Sequence, residues 1–179
     1  MADGFDVLFI IESGLIDKCP DGAVLYKNNT RNGPGGGVSG GVAVWVKENV
    51  ICKRSKKYEK RLPGAHVDSI ALELQGSAHS KNVVVTGVYI NPDQSFSTSV
   101  DSVNENISLV ANQGKDLVYG GDWNGRIASL GNNVTNAKGR KLQDMFESNN
   151  LALHHDGQQT WSRGQDGSAI DFVVCSDST

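Results

Sequence analysis

Two eight-residue runs in the middle of the chain place the strongest constraint on its fold. Val67–Leu74 (VDSIALEL) alternates its side chains between two sets in the manner of a strand. Val83–Ile90 (VVVTGVYI) follows after a polar segment and is almost continuously apolar. Two such runs joined by a short polar connection are typical of paired strands. The chain is therefore expected to build a sheet around this pair.

Other segments also have strand character. They are Asp6–Glu12, Ala23–Tyr26, Gly41–Lys47, Asp116–Gly121 and Ser168–Cys175. The first of these, DVLFIIE, is an almost unbroken apolar run, which is typical of a strand covered on both faces. Between the second and third, Asn28–Gly37 is saturated with Asn, Gly and Pro and is expected to form a loop.

Two segments have helical periodicity. Thr98–Gln113 carries one apolar stripe, made of Val100, Val103, Ile107 and Val110. Ser97 or Thr98 is a suitable N-cap, and Gly114 is a suitable end signal. A second helix is expected over Gly139–Asn149, with Leu142, Met145 and Phe146 on one face. Strands in hairpin order, interrupted by separate helices, favour an α+β protein with antiparallel sheets over a wound βαβ fold.

Length and composition bound the class of protein. A chain of 179 residues, 38% hydrophobic and 21% charged, is typical of one globular domain spanning residues 1–179. No apolar run approaches the roughly 20 residues that span a bilayer, so membrane insertion is not expected. The first apolar run lacks the basic flank of a signal peptide. The three cysteines form no CxxC pair, which favours reduced thiols and an intracellular location.

A basic segment stands out in an otherwise acidic chain. Its cations are Lys53, Arg54, Lys56, Lys57, Lys60 and Arg61, and its only acid is Glu59. One interpretation is a solvated charged surface. The other is contact with a phosphate backbone, for which Lys53, Arg54, Lys56 and Lys57 are the candidates. The formal net charge of −3 argues against a protein that binds nucleic acid by electrostatics alone.

The segment Leu117–Asn124 (LVYGGDWN) is the most informative for chemistry. A strand-like run ends at two glycines, and a carboxylate and a carboxamide follow, two residues apart. On an extended backbone, Asp122 and Asn124 would face one side and Trp123 the other. A carboxylate in such a place can orient or deprotonate water, and an amide can donate to a phosphate oxygen. An ordinary Gly-Gly-Asp turn is the alternative.

Five segments, in order along the chain, resemble the endonuclease/exonuclease/phosphatase superfamily, which has the deoxyribonuclease I-like fold. They are Asp6–Ser13 (DVLFIIES), Gly40–Lys47 (GGVAVWVK), Val88–Asp93 (VYINPD), Gly120–Asn124 (GGDWN) and Thr160–Val174 (TWSRGQDGSAIDFVV). The last segment is similar especially to endonuclease domains of non-LTR retrotransposons. The resemblance implies an α+β protein built as a two-sheet α/β sandwich.

The resemblance also implies an activity, which is magnesium-dependent hydrolysis of a phosphodiester in nucleic acid or another substrate. Glu12 would ligate the metal, and Asp122 would orient the attacking water. Asn124 would contact the scissile phosphate, and Tyr89 would stabilise the phosphate or the leaving oxygen. Asp171 would hold a catalytic histidine. Mg²⁺ prefers oxygen ligands and neutralises developing charge, so these residue types fit the chemistry.

Departures from the superfamily pattern lead to further expectations. Nothing in the chain corresponds to the first-strand asparagine or to the terminal Ser-Asp-His segment, so the catalytic histidine is missing. The neighbours His154 and His155 are not expected to replace it, because adjacent residues on a strand face opposite ways. The fold is thus expected to be incomplete at both termini and completed by a protein partner, with little or no activity as an isolated chain. The alternative is a catalytically degenerate structural or interaction subunit.

Overall fold

The chain is described here by a computed structural model covering residues 6–11, 21–27, 31–32, 38–39, 41–76, 81–92, 95–163 and 166–176. The strands are β1 (Val7–Ile11), β2 (Ala23–Lys27), β3 (Arg31–Asn32), β4 (Val38–Ser39), β5 (Val42–Lys47), β6 (Cys52–Arg54), β7 (Val67–Leu74), β8 (Val83–Ile90), β9 (Asp116–Asp122), β10 (Leu151–His154), β11 (Trp161–Arg163), β12 (Asp166–Ser168) and β13 (Asp171–Ser176). The helices are α1 (Phe96–Ala111) and α2 (Ala137–Ser148).

The strands of these described residues form two main sheets. The small sheet has the order β1-β5-β2, and the large sheet has the order β10-β13-β9-β8-β7-β6. Two short pairs, β3–β4 and β11–β12, stand apart from them. The predicted pair at the centre is confirmed, because Val67 lies opposite Ile90 and Leu74 lies opposite Val83 in an antiparallel ladder. The predicted α+β class is confirmed as well.

Three local predictions need correction. Strands β8 and β9 are parallel, so the expectation of purely antiparallel sheets is wrong at this junction. The reason is that α1 carries the chain back along the sheet before β9 begins, as in a βαβ crossover. The run Ser168–Cys175 is not one strand, because β12 ends at Ser168 and β13 begins at Asp171. The predicted loop Asn28–Gly37 contains the short strand β3.

The large sheet is covered on both faces. On one face, Val100 and Val103 of α1 and Leu142 of α2 belong to one buried cluster with Tyr119 of β9. On the other face, Val44 and Val46 of the small sheet pack on Ile70 of β7. The order of layers is therefore small sheet, large sheet, helices. No helix in the described ranges is long and apolar enough to cross a membrane.

Two glycines let the small sheet lie close to the large one. Gly87 of β8 and Gly120 of β9 are opposite each other in the parallel ladder. A Cβ atom on Gly120 would lie 2.5 Å from Cδ2 of Phe9, and one on Gly87 would lie 2.6 Å from Cγ1 of Val42. Side chains at these positions would push β1 and β5 away. The glycines thus fix the position of β1 over β8 and β9.

The basic segment is held together by Glu59, a half-buried residue whose carboxylate side chain is 8% exposed. Arg54 Nε donates to its Oε1 at 2.8 Å, and Lys56 Nζ donates to its Oε2 at 2.8 Å. The backbone N–H of Ala71 donates to Oε1 at 3.2 Å, which ties the segment to β7. Burial opposes ionisation of this carboxyl, but the hydrogen bonds from Arg54 and Lys56 outweigh it and lower the Glu59 pKa.

A Glu59→Gln variant is expected to lose about 1–3 kcal/mol of stability at pH 7, because it weakens two charge-assisted hydrogen bonds. A carboxyl whose pKa is lowered by folding stabilises the protein above its unfolded pKa, and this contribution disappears as the pH falls through the folded value. The difference from wild type should therefore shrink in urea unfolding measured below about pH 4. The matched control is Glu48→Gln, at an exposed turn position. A difference that stays constant with pH would contradict the assignment.

Candidate active site

Three of the residues predicted from the sequence lie side by side at one end of the large sheet. Asp122, the last residue of β9, is opposite Tyr89 of β8 in the parallel ladder. It is also opposite Asp171, the first residue of β13, in the antiparallel ladder. Opposite residues on neighbouring strands share a face of the sheet, with Cβ atoms about 4.5–5.5 Å apart. Tyr89, Asp122 and Asp171 therefore form one row of predicted catalytic residues, here called the catalytic row.

Asn124 is brought to this row by a turn. Its backbone N–H donates to Asp122 Oδ1 at 2.9 Å, and its side-chain Nδ2 donates to the carbonyl oxygen of Ile90 at 2.9 Å. The φ angle of Asn124 is 50°, a left-handed conformation that asparagine tolerates better than most residues. The expected extended geometry after Asp122 is thus wrong, although both side chains still lie at the same end of the sheet. The bond to Ile90 fixes the amide between the ends of β8 and β9.

Trp123 anchors this turn from the opposite face. Its indole N–H donates to the carbonyl oxygen of Phe172 at 3.1 Å, and the side chain is fully buried. Its ring stacks on Phe172 with centroids 5.5 Å apart and meets Phe146 of α2 edge-on at 5.2 Å. The sequence prediction that Trp123 points away from Asp122 is confirmed. Its packing fixes the end of β9 relative to β13 and α2.

An open groove of about 590 Å³ runs between β1 and β13 and reaches the catalytic row. Ile11 and Phe9 line one wall, and Asp171 and Thr160 line the other. The Thr160 Oγ1 accepts the backbone N–H groups of Ile170 and Asp171, both at 3.1 Å, which holds the start of β13 in place. Strand β1 ends at Ile11. Glu12, the predicted metal ligand, is the next residue and lies outside the described residues.

Asp68 belongs to the same row and was missed by the sequence analysis. It lies opposite Tyr89 in the β7–β8 ladder and is only 3% exposed. Its Oδ2 accepts the backbone N–H of Gly41 at 3.0 Å, and its Oδ1 lies 3.7 Å from Nη1 of Arg61. The signal was present, because alternation places Asp68 on the inward face with Ile70. An acid at such a position needs partners.

The four cations proposed as phosphate contacts have partners within the protein. Arg54 and Lys56 bind Glu59, as described above, and Lys53 Nζ lies 3.9 Å from Glu73 Oε2. Lys57 Nζ lies 5.4 Å from the centre of the Tyr58 ring. These contacts explain how the segment is held together. A role of these four residues in nucleic-acid binding stays a prediction.

The adjacent histidines make separate contacts. His154 is exposed, and its Nε2 lies 3.2 Å from Cys175 Sγ. The His155 side chain is 4% exposed, and its Nδ1 accepts the backbone N–H of Gly157 at 2.8 Å. Among the described residues, no group of three or more His, Cys, Asp or Glu could hold a metal ion. Mg²⁺ is usually bound through one or two carboxylates plus substrate phosphates, and Asp122 and Asp171 provide the oxygen donors that it prefers.

A two-sheet α+β sandwich with helices outside and a Tyr/Asp row at one end defines the deoxyribonuclease I-like class. The family model described as endonuclease-reverse transcriptase matches residues 83–179, more than half of the chain. The chain therefore belongs to this family, within the endonuclease/exonuclease/phosphatase superfamily. A search of curated proteins gives no match.

Solved structures of the superfamily are similar in fold. The endonuclease domain of TRAS1, a telomere-specific non-LTR retrotransposon, has a TM-score of 0.63 and 18% identity, with 87% of this chain and 68% of that chain covered. The 3′ phosphatase NExo from Neisseria, bound to a product DNA hairpin, has a TM-score of 0.65 and 16% identity, covering 98% and 78%. The APE2 catalytic domain of Xenopus laevis has a TM-score of 0.62 and 14% identity, covering 96% and 74%. At these identities the likeness shows the fold alone.

Proposed function

We propose that this chain provides the core of a magnesium-dependent phosphodiester hydrolase that cuts nucleic acid. The observation that carries the proposal is the catalytic row, in which Tyr89, Asp122 and Asp171 are in register on three neighbouring strands. Family membership supports hydrolysis of a phosphodiester. The similarity to an endonuclease domain and to a phosphatase bound to DNA supports nucleic acid as the substrate.

Each residue has a role that its surroundings support. Asp122, fixed by the N–H of Asn124, orients the attacking water and accepts its proton. The Asn124 amide, held by Ile90, and the Tyr89 hydroxyl donate hydrogen bonds to phosphate oxygens. Asp171 would hold the histidine that protonates the leaving oxygen, a residue that the completing partner would supply. Mg²⁺ held by Glu12, the residue after Ile11 in the sequence, would neutralise charge on the phosphate.

The edge position of β1 in the small sheet supports the proposal that a protein partner binds this chain. Strand β1 pairs with β5 on one side, and no strand of the described ranges pairs with it on the other. All residues of Val7–Ile11 are half-buried, including the apolar side chains that line the groove. An apolar edge of this kind is a template for another strand. We propose that an extended segment of a second polypeptide pairs with β1 and that the chain alone has little activity.

The same edge favours a second candidate function, a structural or interaction subunit without turnover. The two candidates are separated by a plasmid-nicking assay with Mg²⁺, run on the chain alone and on its native complex, with EDTA as the control. We expect the complex to nick the plasmid, the chain alone to nick it weakly, and EDTA to stop both reactions. Nicking by the complex that is lost when this chain carries Asp122→Ala would exclude the interaction-only function. If neither form cuts any nucleic acid or phosphorylated small substrate, the hydrolase proposal is wrong.

A further inference from the structure

We propose that Arg61 binds a phosphate group of the nucleic-acid strand near the one that is cut, at the β7 end of the catalytic row. The inference rests on the proposed function and adds to it a substrate-binding residue outside the four cations named from the sequence. It is carried by the position of Arg61 and by the donors that its guanidinium leaves available.

Arg61 lies at the end of the catalytic row. Its Nη1 is 3.7 Å from Oδ1 of Asp68, which lies opposite Tyr89, which in turn lies opposite Asp122. Neighbouring strands are about 4.8 Å apart, so the β7 end of the row is about 10 Å from Asp122. Successive charges of one nucleic-acid strand are spaced by about 3.4 Å along the helix axis. A strand that is cut at Asp122 and runs along the row would pass Arg61 within about three phosphates.

The Arg61 guanidinium has N–H groups that are available for a ligand. Its Nη1 donates to the carbonyl oxygen of Val67 and faces Asp68, and its contacts within the described residues involve this nitrogen only. The side chain is 39% exposed. Arg54 provides the contrast within the same segment, because its Nε and Nη2 both bind Glu59 and its Nη1 binds the carbonyl oxygen of Lys27. Arg61 can thus present both Nε and Nη2 to phosphate oxygens, whereas in Arg54 these two nitrogens already bind Glu59.

Asp68 positions this cation. Its side chain is 4% exposed and is fixed by the N–H of Gly41, so it offers a rigid anchor for Nη1. An arginine held in this way loses less side-chain entropy when it binds a phosphate with its free edge.

The test is binding of a fluorescent DNA oligonucleotide to the 179-residue chain, measured by anisotropy in EDTA at several salt concentrations between about 50 and 200 mM. Arg61→Ala is expected to weaken binding about tenfold, as for loss of a charge-assisted hydrogen bond. It is also expected to lower the slope of log K against log salt by about one, which is the signature of one lost phosphate contact. Arg61→Lys should keep the slope. The matched control, Lys81→Ala, removes an exposed cation beyond the opposite end of β8 and should leave the slope unchanged.

Thermal unfolding of the same variants separates a purely structural role. If Arg61→Ala lowers the melting temperature but keeps the wild-type salt slope, Arg61 only fastens the segment to Val67 and the inference is wrong. Failure of the wild-type chain to bind the oligonucleotide at any salt concentration would also overturn it. If the protein does not cleave nucleic acid but Arg61→Ala still lowers the salt slope of binding, the proposed hydrolysis is wrong and the phosphate contact of Arg61 is supported.

Discussion

An Asp122→Asn variant of the cleaving form is expected to fold normally and to cut nucleic acid about 10²–10⁴-fold more slowly, the usual cost of removing a general base. Asparagine has the size of aspartate and keeps an oxygen that can accept the N–H of Asn124, now at 2.9 Å from Asp122 Oδ1. The turn after β9 should therefore persist. What is lost is the negative charge that orients water and accepts its proton. Single-turnover rates with excess protein and saturating Mg²⁺ measure this loss directly.

The matched control is Asp144→Asn, an exposed position on α2 that removes the same charge away from the catalytic row. It should cleave at the wild-type rate. Both variants should unfold within about 0.5 kcal/mol of wild type, because neither removes a core contact. A wild-type rate in Asp122→Asn would mean that the cleavage comes from another site or from a contaminating nuclease, and the role given to Asp122 would then be wrong.

Local patterns predicted the elements of this fold well. The bounds of Val67–Leu74 and Val83–Ile90 were predicted to the residue, because strand periodicity and apolar runs are properties of the chain itself. The helix predicted over Thr98–Gln113 is observed as Phe96–Ala111. It begins two residues earlier because Phe96 is buried in the core, a contact that no capping pattern records.

The arrangement of the site could be predicted only in part. The sequence indicated Asp122, Asn124 and Trp123 from the eight-residue segment Leu117–Asn124, and it indicated Tyr89 and Asp171 only through the resemblance to the superfamily. The register that places Tyr89 opposite Asp122 depends on the parallel pairing across α1, which hairpin order did not suggest. Asp68 enters the row through that same register.

The charged residues of the basic segment show the same limit of prediction from sequence. In the sequence its arginines are equivalent, and only tertiary contacts distinguish them. Glu59 and the Lys27 carbonyl occupy every nitrogen of the Arg54 guanidinium, whereas Arg61 reaches Asp68 with one. A charge pattern therefore indicated a surface that could meet a polyanion, but it selected Arg54 rather than Arg61 as a candidate.

Gly121→Ala is expected to cost about 2–6 kcal/mol of folding stability. Gly121 lies opposite Val88 in the β8–β9 ladder with a φ of 152°, and a Cβ there would lie 1.8 Å from the Val88 carbonyl oxygen. Backbone strain of about 1–3 kcal/mol adds to an overpacking cost of about 1–3 kcal/mol. Urea unfolding measures the sum. Since Tyr89 and Asp122 are the next pair in this ladder, any shift that relieves the clash should also displace the catalytic row.

A Gly114→Ala variant separates the cost of backbone strain from the cost of overpacking. Gly114 also has a positive φ, 65°, but a Cβ there would meet no atom within 4 Å. Its variant should lose only about 1–2 kcal/mol, the cost of a left-handed conformation, and should cut nucleic acid like wild type. Equal losses of stability in the two variants would show that conformation alone matters at Gly121. A folded Gly121→Ala protein with full activity would show that the row tolerates displacement of β8 against β9, and the requirement for exact register between Tyr89 and Asp122 would have to be abandoned.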